Sequence, residues 1–126
     1  MNESIDNLVS EVSTNFKRGT AEMLLLSLLT QRDWYAYELS GELKRLSRNL
    51  FDIQGPSLYT ILYRMQSRGF VSTWTEPHGK RSRIYYHLLP SGREYLKLIT
   101  KEYLAISNGI KEILSATNLD TDDTHS

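Results

Sequence analysis

Between Gly55 and Gly69 the chain reads GPSLYTILYRMQSRG, a run of hydroxyls, phenols and arginines without a carboxylate. Helical geometry sorts it into faces. Leu58, Ile61, Leu62 and Met65 recur at i, i+3, i+4 and i+7 and make one apolar stripe. Thr60, Tyr63 and Ser67 then point the opposite way, with Ser57, Tyr59 and Arg64 on the flanks. Hydroxyls and guanidinium groups suit the edges of bases, and arginine in particular suits O6 and N7 of guanine, so Thr60, Tyr63 and Arg64 are candidates for reading DNA. Ser57 and Tyr59 can donate to phosphates near the positive end of the helix. From its flank, Tyr59 can equally well pack against the body of the protein.

A second basic set follows. Lys80, Arg81 and Arg83 stand in and after the turn-forming cluster Pro77–Lys80. They suit phosphates or the minor groove, or else a solvated loop. The net charge of zero conceals their setting. Ser57–Lys101 holds eight basic and two acidic residues, a net of +6, and the remainder of the chain carries −6. Such segregation matters more than the sum.

Other chemistries find little support. His78, His87 and His125 have no carboxylate or thiolate at ligand spacing, so no metal is expected. No glycine-rich phosphate loop or nucleophile–base set is evident, so neither a cofactor nor an enzyme is expected. There is no cysteine, which fits a cytoplasmic protein. No apolar run approaches the ~20 residues of a membrane span, and the first residues lack the pattern of a signal peptide.

The elements that position these residues follow from periodicity. Residues 2–16 place Ile5, Leu8, Val9, Val12 and Phe16 at helical spacing. Lys17-Arg18-Gly19 reads as a break, with Thr20 as N-cap of a second, nearly all-apolar helix over Ala21–Thr30. Gln31–Trp34 reads as a polar turn. A third helix, Ala36–Leu46, puts Ala36, Leu39, Leu43 and Leu46 on one stripe, and Gly41 within it suggests close approach of a neighbouring helix. The helix at Pro56–Arg68 has proline at its first position and Gly69 at its C′ position. Phe70–Glu76 and Ser82–Leu89 are rich in β-branched and aromatic residues and predict a two-stranded hairpin. Ser91 and Glu94 form a capping box for a last helix. Along it Leu96, Ile99, Tyr103, Ile106, Ile110 and Ile113 are spaced 3, 4, 3, 4, 3, the seam of a coiled coil. This seam packs either on its own domain or on a second copy, and the spacing favours a homodimer. Tyr103 at its middle, with Trp34 and other aromatics, either belongs to the plain core or offers a stacking surface for a flat effector. Asn118–Ser126 is polar and acidic and reads as disordered.

The expected fold is mainly α with a small β-hairpin (α+β), a winged helix-turn-helix followed by a dimerisation helix. The domain layout is 1–90 for DNA binding, 91–116 for dimerisation and 117–126 for the tail. Four stretches in this order resemble the PadR family of bacterial transcriptional regulators. They are Arg18-Gly19 before the leucine-rich helix, Tyr35-Ala36-Tyr37-Glu38-Leu39, Leu58-Tyr59 with Arg64-Met65, and the wing Arg81–Leu88 followed by Ser91-Gly92. The single C-terminal helix is similar to the family's short subgroup. Ala36 stands where glycine is common, and Pro56-Ser57 alters the usual start of the recognition helix. The resemblance implies a homodimer binding an inverted repeat in a promoter, usually as a repressor, and release from double-stranded DNA by a small aromatic or multidrug-like compound. A different reading, a winged-helix protein-interaction module that contacts no DNA, is motivated by the zero net charge and acidic ends. The basic bias of Ser57–Lys101 argues against it.

Overall fold

Ser4 opens the first helix of the computed structural model, which describes residues 4–118. The Ser4 hydroxyl accepts from the Asn7 backbone N–H at 3.1 Å, and α1 then runs unbroken over Ile5–Leu29. The two helices expected on either side of Lys17–Gly19 are therefore one. A glycine in a helix costs only about 1 kcal/mol relative to alanine. Burial of Leu25, Leu26, Leu28 and Leu29, at roughly 1.5–3 kcal/mol each, fixes the half after Gly19, and the half before it continues the helix with Ile5, Val9 and Phe16 exposed. Thr20 is not an N-cap. Its hydroxyl turns back to the carbonyls of Phe16 and Lys17, as threonine does inside a helix.

The supposed polar turn before the next helix ends in a strand. Trp34–Tyr35 forms β1, and Ala36–Leu46 forms α2 with the bounds the periodicity predicts. Ala36, Leu39 and Leu43 are buried, but Leu46 is 54% exposed because the stripe drifts off the core at the helix end. Among the described residues Gly41 meets no close neighbour, in place of the close approach expected there. An irregular loop leads to α3 (Pro56–Ser67), with Gly55 at its N-cap in a positive-φ conformation. Its end is a Schellman motif. Gly69 takes φ 76°, its N–H reaches the Gln66 carbonyl, and the Phe70 N–H reaches that of Met65, both at 3.0 Å.

β2 (Val71–His78) and β3 (Arg81–Leu88) form the hairpin, which at the tip is two residues longer on β2 and one on β3 than expected, closed by Gly79-Lys80 with Gly79 at φ 62°. Pro77 is accommodated because β2 is an edge strand. The sheet has three strands, not two, in the order β1-β3-β2, all antiparallel, with Trp34 opposite Tyr86 and Tyr35 opposite Tyr85. Two residues are too short for a periodic signal, and only the pairing with β3 makes them a strand.

The core gathers Leu25, Leu26, Leu39, Leu62 and Met65, all fully buried, with Leu58, Val71, Tyr86 and Leu88 around them. The Trp34 indole is part of it and donates to the Leu28 carbonyl at 2.9 Å. α4 spans Pro90–Ala116. Ser91 is inside its first turn and donates to the Gly69 carbonyl, so it is not the expected N-cap. The chain divides into two units, Met1–Leu96 and Lys97–Ser126. The first turns of α4 belong to the first unit because Gly92 lies against Phe70 and the Tyr95 ring stacks on Phe70 at 4.3 Å. Within the second unit, Tyr103, Ile106, Ile110 and Ile113 are exposed. The expected disordered tail, apart from Asn118, lies outside the described residues, as does His125.

Candidate nucleic-acid interface

Leu58, Leu62 and Met65 anchor α3 from below, each at most 3% exposed. Truncating such a side chain costs about 2–5 kcal/mol, so the helix has one rotational setting. That setting presents Ser57, Tyr59, Thr60, Tyr63 and Ser67 to solvent, with Tyr63 72% and Tyr59 56% exposed. Tyr59 is thus on the surface and not in the core. The Thr60 hydroxyl donates to the Pro56 carbonyl at 2.9 Å, which leaves its oxygen as an acceptor.

Arg64 is more constrained than its sequence position suggests. α3 lacks acids of its own, but Glu22 of α1 supplies one from across the fold. Arg64 Nε lies 3.4 Å and Arg68 Nη1 3.5 Å from the Glu22 carboxylate, whose side chain is only 12% exposed. The Tyr95 hydroxyl donates to the same group at 3.3 Å. Burial, the Glu22 charge and this hydrogen bond together raise the Tyr95 pKa above the ordinary phenol value. The Glu22 contact engages Nε. Among the described residues no other hydrogen bond holds the Arg64 guanidinium, so its terminal nitrogens stay outside that pair.

The wing separates its basic residues. Lys80 and Arg81 are exposed at the tip. Arg83 lies back on the sheet, its guanidinium carbon 4.5 Å from the Tyr35 ring centre and Nη2 3.0 Å from His78 Nε2. It joins an aromatic ladder in which Tyr35 meets Tyr85 edge-on at 5.7 Å and Tyr85 stacks on Trp74 at 4.4 Å. Asp33 locks the ladder's far end. It accepts from Trp74 Nε1 at 2.7 Å and faces His87 Nδ1 at 2.8 Å. Burial pushes the Asp33 pKa up, but the hydrogen bonds from His87 and Trp74 outweigh it and hold the carboxyl below its usual value.

Sequence reasoning missed Glu22 and Asp33, although a signal exists for Glu22: it is an acid on the edge of an otherwise leucine-rich helix. Trp34 is sequestered in the core of the first unit with its N–H satisfied, so its ring is not a free stacking surface. Leu96, the first residue of the expected seam, packs against the core of its own unit.

The fold is a winged helix-turn-helix in which α3 exposes a face without acids and the wing tip is basic. The model of the transcriptional regulator PadR-like family matches residues 25–98. The chain belongs to this family. Among solved structures it is similar to a PadR family transcriptional regulator from Eggerthella lenta, at 28% identity and a TM-score of 0.76, covering 86% of this chain and 94% of that one. A transcriptional regulator from Clostridium thermocellum is likewise 28% identical, with a TM-score of 0.74 over 78% and 96% of the two chains. An uncharacterised protein of Lysinibacillus sphaericus is 28% identical over 106 residues, 82% of this chain and 92% of its own. PadR-like proteins are transcriptional regulators and not enzymes. No described helix is long and apolar enough to cross a membrane.

Proposed function

We propose that this PadR-family regulator acts in the cytoplasm as a homodimeric repressor on an inverted repeat in promoter DNA. The observation that carries the DNA reading is the face of α3, where Ser57, Tyr59, Thr60, Tyr63 and Arg64 stand on a helix fixed by the core. Lys80 and Arg81 add phosphate contacts at the wing tip. Arg83 steadies the wing through Tyr35 and contacts DNA less directly than the tip. A dimer sets two such faces one DNA turn, ~34 Å, apart.

The support for a homodimer is the exposed apolar stripe of α4. Tyr103, Ile106, Ile110 and Ile113 are exposed and continue, with the half-buried Ile99, the coiled-coil spacing; Ile113 is 65% exposed. Stripes of this kind are costly in a monomer and mark interfaces. Tyr103, at its midpoint, offers the stacking surface for a small aromatic effector that releases the DNA.

Ile106→Glu with Ile110→Glu should convert dimer to monomer in light scattering and abolish binding to an inverted repeat while leaving the first unit folded. DNA immediately upstream of the gene is the first duplex to try. A protein that stays dimeric with both glutamates has its interface elsewhere. Equal binding of specific and random duplexes at every salt concentration would refute sequence-specific regulation.

A further inference from the structure

A groove of about 830 Å³ runs beside the recognition helix. One wall is α1, where Thr14, Lys17, Arg18 and Ala21 recur at i, i+3, i+4 and i+7. The other is α3, where Ser57, Thr60, Ile61 and Arg64 recur at the same spacing. The loop from Asn49 to Gln54 forms the floor. Three residues of the proposed DNA-contacting face, Ser57, Thr60 and Arg64, therefore also line this groove opposite α1.

The charges in the groove are unequal. Its one acid, Asp52, is taken by Lys44 at 3.5 Å. Arg64 shares Glu22 with Arg68. Lys17 and Arg18 are in no ion pair among the described residues, and Arg18 donates only to the Asn15 side chain at 3.0 Å. Two cations without counter-charges thus face a helix proposed to lie in the major groove.

We infer that Lys17 and Arg18 form a second phosphate-binding wall of the DNA interface. A strand bordering the major groove around α3 runs along the mouth of this groove. Its phosphates then meet Lys17 and Arg18 from one side and the Ser57 hydroxyl from the other. The open shape favours a polymer backbone over a small molecule. Pockets for small ligands enclose most of the ligand surface, whereas Arg18, Gln54, Ser57 and Thr60 here are all exposed. The inference rests on the DNA-binding reading and adds α1 to the contacting elements.

The test needs no knowledge of the operator. Binding of a random-sequence duplex is followed by fluorescence anisotropy across a salt series. The proteins are wild type, Lys17→Ala with Arg18→Ala, Lys80→Ala with Arg81→Ala, and the charge-conserving pair Lys17→Arg with Arg18→Lys. Each neutralised phosphate contributes about −0.9 to the slope of log affinity against log salt. Losing Lys17 and Arg18 should make the slope shallower by about 1.8 per protomer, and the charge-conserving pair should keep it. A wild-type slope in the alanine pair, with a shallower one for the wing variant, overturns the inference and leaves DNA binding intact. A shallower slope in the charge-conserving pair also overturns it, because the effect is then structural. No salt-dependent binding by wild type would sink the DNA reading itself and this inference with it.

Discussion

Gly92→Ala pits helix propensity against packing, and the distances decide the outcome. A methyl at Gly92 would stand 2.2 Å from the Phe70 carbonyl oxygen, 2.8 Å from Leu88 Cδ1 and 3.0 Å from the Phe70 carbonyl carbon. A carbon and a carbonyl oxygen rest at about 3.3–3.6 Å, so α4 and the α3–β2 corner must separate by about 1 Å. The same oxygen accepts from the Leu89 N–H at 2.9 Å, so the shift weakens that bond too. Overpacking of this kind costs about 1–3 kcal/mol, and the strained hydrogen bond about 1 kcal/mol. Alanine returns at most about 1 kcal/mol of helix propensity. The net is a loss of about 2 kcal/mol, or a fall in Tm of roughly 8 °C for a chain of this size. Gly41→Ala is the internal control. It too lies within a helix, but nothing stands within 4 Å of its added methyl, so only the propensity gain remains and Tm should rise by a few degrees. Thermal melts followed by circular dichroism measure both. Shifts of the same sign in the two variants, or a Gly92→Ala loss under about 0.5 kcal/mol, would refute the close-approach reasoning.

Glu22→Gln removes the charge that holds Arg64 and Arg68 against α1. Because both arginines are half-exposed, stability should fall by only about 1 kcal/mol, while affinity for random duplex rises and its salt slope steepens; unchanged binding would show that Glu22 does not restrain these guanidiniums. Asp33→Asn tests the lock on the aromatic ladder. A carboxyl whose folded pKa is depressed contributes stability above its unfolded pKa, about 3.9, and loses that contribution as pH falls through the folded value. Wild type should therefore exceed Asp33→Asn in urea midpoint at neutral pH, with the gap closing below about pH 4. A gap that does not change with pH would mean that ionisation of Asp33 contributes nothing.

Much of the candidate site was legible because α3 is an interior-anchored helix with local start and stop signals. Pro56, the i, i+3, i+4, i+7 stripe and Gly69 mark it within one stretch, and the face opposite the stripe follows by geometry. α2 was legible for the same reason. What failed were inferences from single residues. Gly19 and Thr20 read as a helix boundary, yet one glycine costs a helix only about 1 kcal/mol, and the Thr20 hydroxyl bonds back to the preceding turn. Gly41 and Gly92 are both helical glycines, and only the fold brings a carbonyl against the second and not the first. Arg83 and Lys80 look alike in sequence, but Tyr35, forty-odd positions earlier, captures only Arg83.

By itself, the sequence determined helices α2, α3 and α4, the hairpin between the last two, the outward residues of α3, the basic character of the wing tip and the coiled-coil spacing of α4. All of these rest on periodicity and on signals a few residues long. The tertiary structure alone decided the third strand, the burial of Trp34, the tethering of Arg64 to Glu22, the capture of Arg83 by the ladder, and the placing of Lys17 and Arg18 across a groove from α3. Each of these joins residues far apart in the chain. Such contacts exist only after the core has set the elements against one another, and no local pattern encodes them.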